Sequence, residues 1–309
     1  MSLVPYLHIA RPDHWFKNIF VLPGILLAVY FYPSLWTTSS AIPIVVGFIA
    51  VCLTASSNYV LNEILDAERD KSHPVKKDRP IPSGQVVIRL AYAEWILLGI
   101  AGVGAGWWIS TPLGLSCLLL WIMGTIYNIP PVRTKDLPYL DVLTESINNP
   151  LRMLIGWYST GLDITPPISV LLAYWMFGAF LMATKRFAEY RVIGCRLKAA
   201  KYRSSFAHYT EERLLESIIF YVALFAMFSA IFMTRYKIEL ILATPIVAYA
   251  IAYYLHLGFK PDSPVQYPER LHKQKKLMII VTIAFAVCVS LLFADIPALD
   301  KIWIASTGP

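Results

Sequence analysis

Charge is scarce in this chain of 309 residues. Asp, Glu, Lys and Arg fill 15% of positions, while 57% are apolar. Soluble domains carry roughly 25% charged and 45–50% apolar residues, so an ordinary water-facing surface is excluded. Cysteine is equally thin. Cys52, Cys117, Cys195 and Cys288 stand apart with no ligand spacing, which excludes a disulfide framework and a zinc site. The six histidines form no HxxxH-type cluster. The segment up to Lys17 is polar, and the apolar block after it is too long for a signal-peptide core, so no cleavable leader is expected. The net charge of +7 does not point to nucleic acid, because the basic residues flank apolar blocks, where membrane orientation and anionic lipid account for them.

What the chain has instead is long uninterrupted apolar runs. A helix needs roughly 20 residues to cross the hydrocarbon, and in lipid only helices and closed barrels satisfy their own backbone polar groups. Nine spans are expected, near 17–36, 41–65, 86–108, 112–130, 140–160, 167–185, 213–233, 238–258 and 276–294. The fold class is therefore an all-α polytopic membrane protein. Nine transmembrane helices are expected to bundle around a central polar cavity open to the cytosol, as one domain over 1–309. The loops alternate in character, and 23 of the 27 Lys and Arg residues fall on the side of the N-terminus. The positive-inside rule places the N-terminus and the long basic loops in the cytoplasm, as in a multi-pass inner-membrane protein.

Charged side chains within membrane spans cost about 2.5–3.5 kcal/mol each on insertion scales, so each needs a reason. At the end of the second span Asn58, Asn62, Asp66 and Asp70 recur every fourth residue, with Glu63 and Glu68 beside them. Steps of four share one helical face. The fifth span repeats the step with Asp141, Glu145 and Asn149, joined by Asn148 and Arg152. Carboxylate and amide oxygens without His or Cys suit a hard cation, and Mg²⁺ takes one or two carboxylates together with water and substrate phosphates. Bases follow closely: Lys71, Lys76, Lys77 and Arg79 after the first stripe, Arg133 and Lys135 before the second. Such cations grip phosphate oxygens and offset charge on a leaving diphosphate.

The two stripes thus predict a Mg²⁺–diphosphate site at the membrane surface. Asn62, Asp66, Asp70, Asp141 and Glu145 are the expected metal ligands, and the four carboxylates among them carry the catalysis. Arg133, Lys135, Asn149 and Arg152 are expected beside the diphosphate. The competing reading makes the carboxylates structural ion pairs. Glu94, alone in the third span, reads as a satisfied buried group or an interface neighbour. Gly102 and Gly106 read as a helix-packing pair.

These motifs resemble those of a known family. The stretch NEILDAERDKSHPVKKDRPIPSG resembles the first signature of the UbiA superfamily of intramembrane prenyltransferases, and YNIPPVRTKDLPYLDVLTE looks like the second. RPDHWFKN, SSNYVLNE, HPVKKDRPI, KRFAEYRVIG and KYRSSFAHY bring it nearest to the decaprenyl-phosphate phosphoribosyltransferase-like members. The resemblance implies that Asn62, Asp66 and Asp70 hold Mg²⁺ and the donor's diphosphate. It implies that Lys17, Lys76, Arg79, Lys185 and Arg186 hold phosphate groups, and that Asp141 faces the site. The first motif reads Asn-Glu where Asn-Asp is usual, and ESINNPLRMLIGWY is more polar than that subfamily generally shows.

Four functions remain open at this point. The first is transfer of phosphoribose from phosphoribosyl pyrophosphate, a soluble phosphorylated donor, to a polyprenyl phosphate with release of diphosphate. The basic loop holding Lys185, Arg186, Arg191, Arg196, Lys198, Lys201 and Arg203 favours it. The second is prenyl transfer from a prenyl diphosphate to an aromatic or lipid acceptor, with Tyr59, Tyr127 and Tyr158 sheltering a carbocation. A membrane terpene cyclase and an ion-coupled transporter are the third and fourth.

Overall fold

The computed structural model describes residues 3–35, 40–71 and 76–303, without the side chains of 196, 268, 269, 300, 301 and 303. Among the described residues every regular element is helical. Two compact units divide the chain, Met1–Pro166 and Pro167–Pro309.

The first unit opens with α1 (Val4–Ala10), a 3₁₀ stretch over Pro12–Val21 and α2 (Leu22–Phe31). Together Val4–Phe31 is long and apolar enough to cross a membrane. The polar lead-in expected to precede a first span at 17 is therefore itself helical. Pro5 and Pro12 sit at helix starts, where their missing N–H groups are not needed, and Arg11, at φ 50°, separates the two pieces. The expected end of this span, at 36, lies outside the described residues.

Next comes α3 (Ala41–Lys71), 31 residues long. At 1.5 Å per residue it measures about 46 Å, well beyond a hydrocarbon core of roughly 30 Å. The helix expected to stop near 65 thus carries its acidic stripe on regular backbone through Asp70. An antiparallel pair follows, α4 (Ile88–Ile109) and α5 (Thr111–Asn128), joined at Ser110, whose hydroxyl accepts from the Leu113 N–H at 3.3 Å and caps α5. Gly102 serves packing, as its spacing predicted: a Cβ there would come within 2.8 Å of the Ala50 carbonyl oxygen of α3.

The segment expected as one span over 140–160 is divided. It forms α6 (Leu140–Ser146) and α7 (Asn148–Tyr158), parted at Ile147. Pro150 supplies the physical reason, since it has no N–H to return to the Ser146 carbonyl one turn earlier. Helical bonds still run from Ile147 N–H to Leu143 and from Leu151 N–H to Ile147. Neither piece alone reaches spanning length, so eight helices among the described residues are long and apolar enough to cross, rather than nine. α7 packs tightly on α2: a Cβ on Gly156 would lie 2.0 Å from the Val21 carbonyl oxygen, and one on Gly24 would lie 2.0 Å from that of Met153.

The second unit holds α8 (Ile168–Ile193), α9 (Arg196–Tyr202), α10 (Glu211–Tyr236), α11 (Thr244–Gly258), α12 (Lys275–Phe293) and α13 (Pro297–Trp303). Gly194, at φ 62°, ends α8 with its N–H on Tyr190, and the Thr210 hydroxyl caps α10. α8 runs eight residues past its expected end, so Lys185 and Arg186 lie on helix.

Candidate active site

The last turns of α3 and the loop after α5 bring the polar residues of the first unit together. Lys135, itself buried, sits at the centre. Its Nζ donates to Asp66 Oδ1 at 2.6 Å, Asn128 Oδ1 at 2.9 Å and Asn62 Oδ1 at 3.2 Å. Three side-chain oxygens from two helices thus converge on one positive charge. Asn62 and Asp66 are one turn apart on α3, and Asn128 is the last residue of α5. Buried lysine is rare without such partners.

Asp66 Oδ1 also accepts from Arg133 Nη2 at 2.9 Å. The same guanidinium meets a second acid, with Nε 2.9 Å from Asp136 Oδ2. Asp136 in turn pairs with Arg69 of α3 at 3.2 Å. Burial raises the Asp136 carboxyl, but the hydrogen bond from Arg69 and the charges of Arg69, Arg133 and Lys135 outweigh it and hold it below its ordinary value. The loop presenting these bases is bent by two non-glycine residues at positive φ, Arg133 at 26° and Tyr139 at 64°, a kind of backbone strain that gathers at functional sites.

One helical turn beyond Asp66, the buried Asp70 accepts from Arg79 Nη1 at 2.6 Å, with Lys76 Nζ at 3.7 Å from its other oxygen. Both cations belong to the basic loop, of which residues 72–75 lie outside the described residues. That loop is folded back by hydrogen bonds from Ser83 N–H to Arg79 and from Gln85 N–H to Pro80, with Gly84 at φ 78°. Glu63 takes no part in the oxygen cluster. It is 1% exposed, accepts from Arg11 Nη2 at 3.0 Å and receives the Ile81 N–H at 3.3 Å.

On α6, Asp141 is fully buried, and Glu145 accepts the Tyr127 hydroxyl at 3.0 Å. On α7, Asn149 is half-buried, and the Oδ1 of Asn148 is a buried atom without a hydrogen-bond partner. Arg152 donates through Nε to the buried Asn18 at 2.9 Å, and Asn18 donates to Cys52 Sγ at 3.2 Å. Lys17 Nζ lies 3.4 Å from His14 Nδ1, while the His14 ring meets Tyr59 edge-on. Arg11 also lies over the Tyr59 ring, 5.8 Å from its centroid. Glu94, read as a satisfied buried group or an interface neighbour, is half-buried with Oε2 lacking a hydrogen-bond partner, which goes against the first of these. In the second unit Lys185 and Arg186 both pair with Glu189, at 4.0 and 3.1 Å, and Arg186 is 2% exposed.

The first stripe is therefore assembled, with Asp66 and Asp70 bound to bases from the expected loops. Among the described residues no three His, Cys, Asp or Glu side chains gather closely enough to hold a metal ion by themselves. The oxygen set still fits a hard cation, because Asn62, Asp66 and Asn128 already surround a positive charge with oxygen alone. Sequence reasoning missed Asn128, Asp136, Arg69 and Asn18. Asn128 carried two signals, an amide closing an otherwise apolar block and its place at the start of the YNIPPVRTKDLPYLDVLTE stretch.

Known proteins match this chain in sequence and in fold. The description "UbiA prenyltransferase family" fits residues 18–266. The decaprenyl-phosphate phosphoribosyltransferase of Mycolicibacterium smegmatis is 30% identical over 205 residues, covering 66% of this chain and 62% of that protein. The enzyme of the same name from Corynebacterium glutamicum is 28% identical, covering 65% and 58%. The match thus spans about three-fifths of the length of these relatives. In fold, a UbiA homologue from Archaeoglobus fulgidus, solved with GPP and Mg²⁺, superposes with a TM-score of 0.69 at 19% identity. It covers 94% of this chain and all of that one. This multi-pass chain belongs to the UbiA prenyltransferase family.

Proposed function

We propose that the protein is a Mg²⁺-dependent membrane transferase that moves phosphoribose from phosphoribosyl pyrophosphate to a polyprenyl phosphate and releases diphosphate. The observation that carries this reading is the excess of base around the first stripe. Asp66, Asp70 and Asp136 are ion-paired with Arg69, Lys76, Arg79, Arg133 and Lys135, five cations to three carboxylates. A cluster left positive in this way suits a polyanion bearing several phosphates. The two relatives named decaprenyl-phosphate phosphoribosyltransferase support the choice of donor and acceptor. The Archaeoglobus homologue with GPP and Mg²⁺ supports a divalent ion at a diphosphate.

Asn62, Asp66 and Asn128 would hold the metal nearest the donor, with Asp70, Asp141 and Glu145 completing the acidic set. The bound ion would draw charge from the departing diphosphate as a Lewis acid. Arg79, Lys76, Arg133 and Lys135 grip the diphosphate oxygens as C1 of the ribose becomes cation-like. Lys17 and Arg152 take the lipid phosphate, with Asn149 alongside. That phosphate is already an anion near neutral pH, so no residue is assigned as a general base. Lys185 and Arg186, paired with Glu189 within the second unit, remain proposed phosphate-binding residues of that unit. The single domain expected over 1–309 remains the proposed organisation, supported by a family match that runs through both units. The basic loops and the polar cavity face the cytoplasm, and the protein sits in the inner membrane.

The test uses purified protein in nanodiscs. Radiolabel should pass from phosphoribosyl pyrophosphate into the lipid fraction only when polyprenyl phosphate is present. Diphosphate release from a prenyl diphosphate alone would replace this reading with prenyl transfer or cyclisation.

A further inference from the structure

We infer that the Lys135 ammonium is a built-in substitute for the divalent ion, and that metal and diphosphate therefore enter this site together rather than singly. The inference rests on the reading of the site as a metal–diphosphate centre, and it adds Asn128 to the residues that hold the cation.

The argument starts from the three oxygens on Lys135 Nζ, at 2.6, 2.9 and 3.2 Å. An ammonium offers three donors and no acceptor, so all three protons are spoken for. The oxygens are those a hard cation would take, and they come from fixed positions: two on one face of α3, one on the last residue of α5. A divalent ion cannot share this set with the ammonium, since both need the same lone pairs and both are positive. Asp66 already faces two cations, Arg133 and Lys135, on a single oxygen. Adding a metal ion alone would set more positive charge against a group that is already over-neutralised.

A diphosphate changes the balance. Its oxygens can accept the Lys135 ammonium and the Arg133 guanidinium, and its negative charge offsets the arriving metal. Lys135 follows a backbone kink at Arg133 and lies in a short 3₁₀ turn, Thr134–Asp136, rather than in a long helix. The ammonium then moves from protein oxygens to phosphate oxygens, and Asn62, Asp66 and Asn128 pass to the metal. Without substrate, Lys135 keeps the acids neutralised and holds α3, α5 and the loop together.

Mn²⁺ is the probe, read by electron paramagnetic resonance on full-length protein in nanodiscs, with inorganic pyrophosphate as the diphosphate. Free Mn²⁺–pyrophosphate is subtracted using empty discs. In the wild type, pyrophosphate should strengthen Mn²⁺ binding at least tenfold. Lys135→Met should bind Mn²⁺ alone at least tenfold more tightly than the wild type does, and pyrophosphate should then help it less. Asn128→Ala should weaken Mn²⁺ binding in the presence of pyrophosphate. If the wild type binds Mn²⁺ equally well with and without pyrophosphate, or if Lys135→Met leaves metal-only affinity unchanged, the substitute role is wrong while the metal–diphosphate centre stands. If the wild type binds no Mn²⁺ under either condition, both readings fall. The wild-type comparison decides the matter even if Lys135→Met does not fold.

Discussion

Glu63 meets Arg11 as a buried ion pair at 3.0 Å, although it stands next to Asn62 in the acidic motif. Adjacent helix positions point roughly 100° apart, so one step along α3 leaves the oxygen cluster and enters the contact with α1. The second Glu63 oxygen takes the Ile81 N–H and so fixes the turn that carries Arg79. Glu63→Gln removes the charge but keeps the shape, leaving Arg11 without its counter-ion. Breaking one side of a buried pair costs about 3 kcal/mol or more. Melting in detergent should show that loss, while Mn²⁺ binding with pyrophosphate stays within about twofold of wild type. Loss of metal affinity without loss of stability would make Glu63 a ligand after all.

Much of this site was legible because spacing is conserved by helical geometry. Asn62, Asp66 and Asp70 repeat every four residues, and an unbroken helix had to set them on one face. The loops that bear Arg79, Arg133 and Lys135 adjoin those stripes in sequence. What could not be read was choice among partners. Nothing in the order of residues says that Asp66 takes Lys135 while Glu63 takes Arg11, since both acids lie within one turn of each other. Asp136 and Asn128 were passed over because neither falls on the four-residue step of the acidic stripes, and each gains its role only from a fold-back. The division at Ile147 went unread because the segment was taken as one span despite Pro150 and the polar residues around it, and the helical first residues were hidden because the stretch up to Lys17 read as polar.

Gly156 and Gly24 let α7 and α2 touch backbone to backbone, each lying where an added Cβ would meet the other helix's carbonyl at 2.0 Å. Gly156→Val should force the two helices apart, and with them the Arg152–Asn18 hydrogen bond. A loss above about 4 kcal/mol is expected, the range of severe overpacking. The control is Gly104→Val, where an added Cβ meets nothing within 4 Å. Comparable melting of the two variants would remove the close-packing argument.

Asp66 is the acid on which both Arg133 and Lys135 converge. Asp66→Asn keeps an oxygen for hydrogen bonding but loses the charge that holds the two cations and would hold a metal. Label transfer from phosphoribosyl pyrophosphate should fall at least about 100-fold, the scale of losing one preorganised electrostatic group. The protein should still be found in the membrane at wild-type level, because residues 41–55 of α3, which supply its apolar length, are untouched. Activity retained within tenfold would return Asp66 to a purely structural role.

Asp136 holds Arg133 at Nε, beside the Nη2 that Asp66 takes, and its carboxyl sits below its ordinary value because Arg69, Arg133 and Lys135 outweigh its burial. A depressed carboxylate favours the folded state whenever the unfolded chain would bind more protons. The contribution is present above the unfolded value, near 4, and is lost as the pH falls through the folded value beneath it. At pH 7, therefore, Asp136→Asn should melt below the wild type, and the gap should close as the pH drops under about 4. Other carboxylates titrate in both proteins, so the difference between the two curves isolates this one group. Curves that stay parallel from pH 7 to pH 3.5 would mean that Asp136 gains nothing from its three bases. In that case Arg133 would owe its orientation to the bent backbone at its own φ of 26° rather than to the acid beside it.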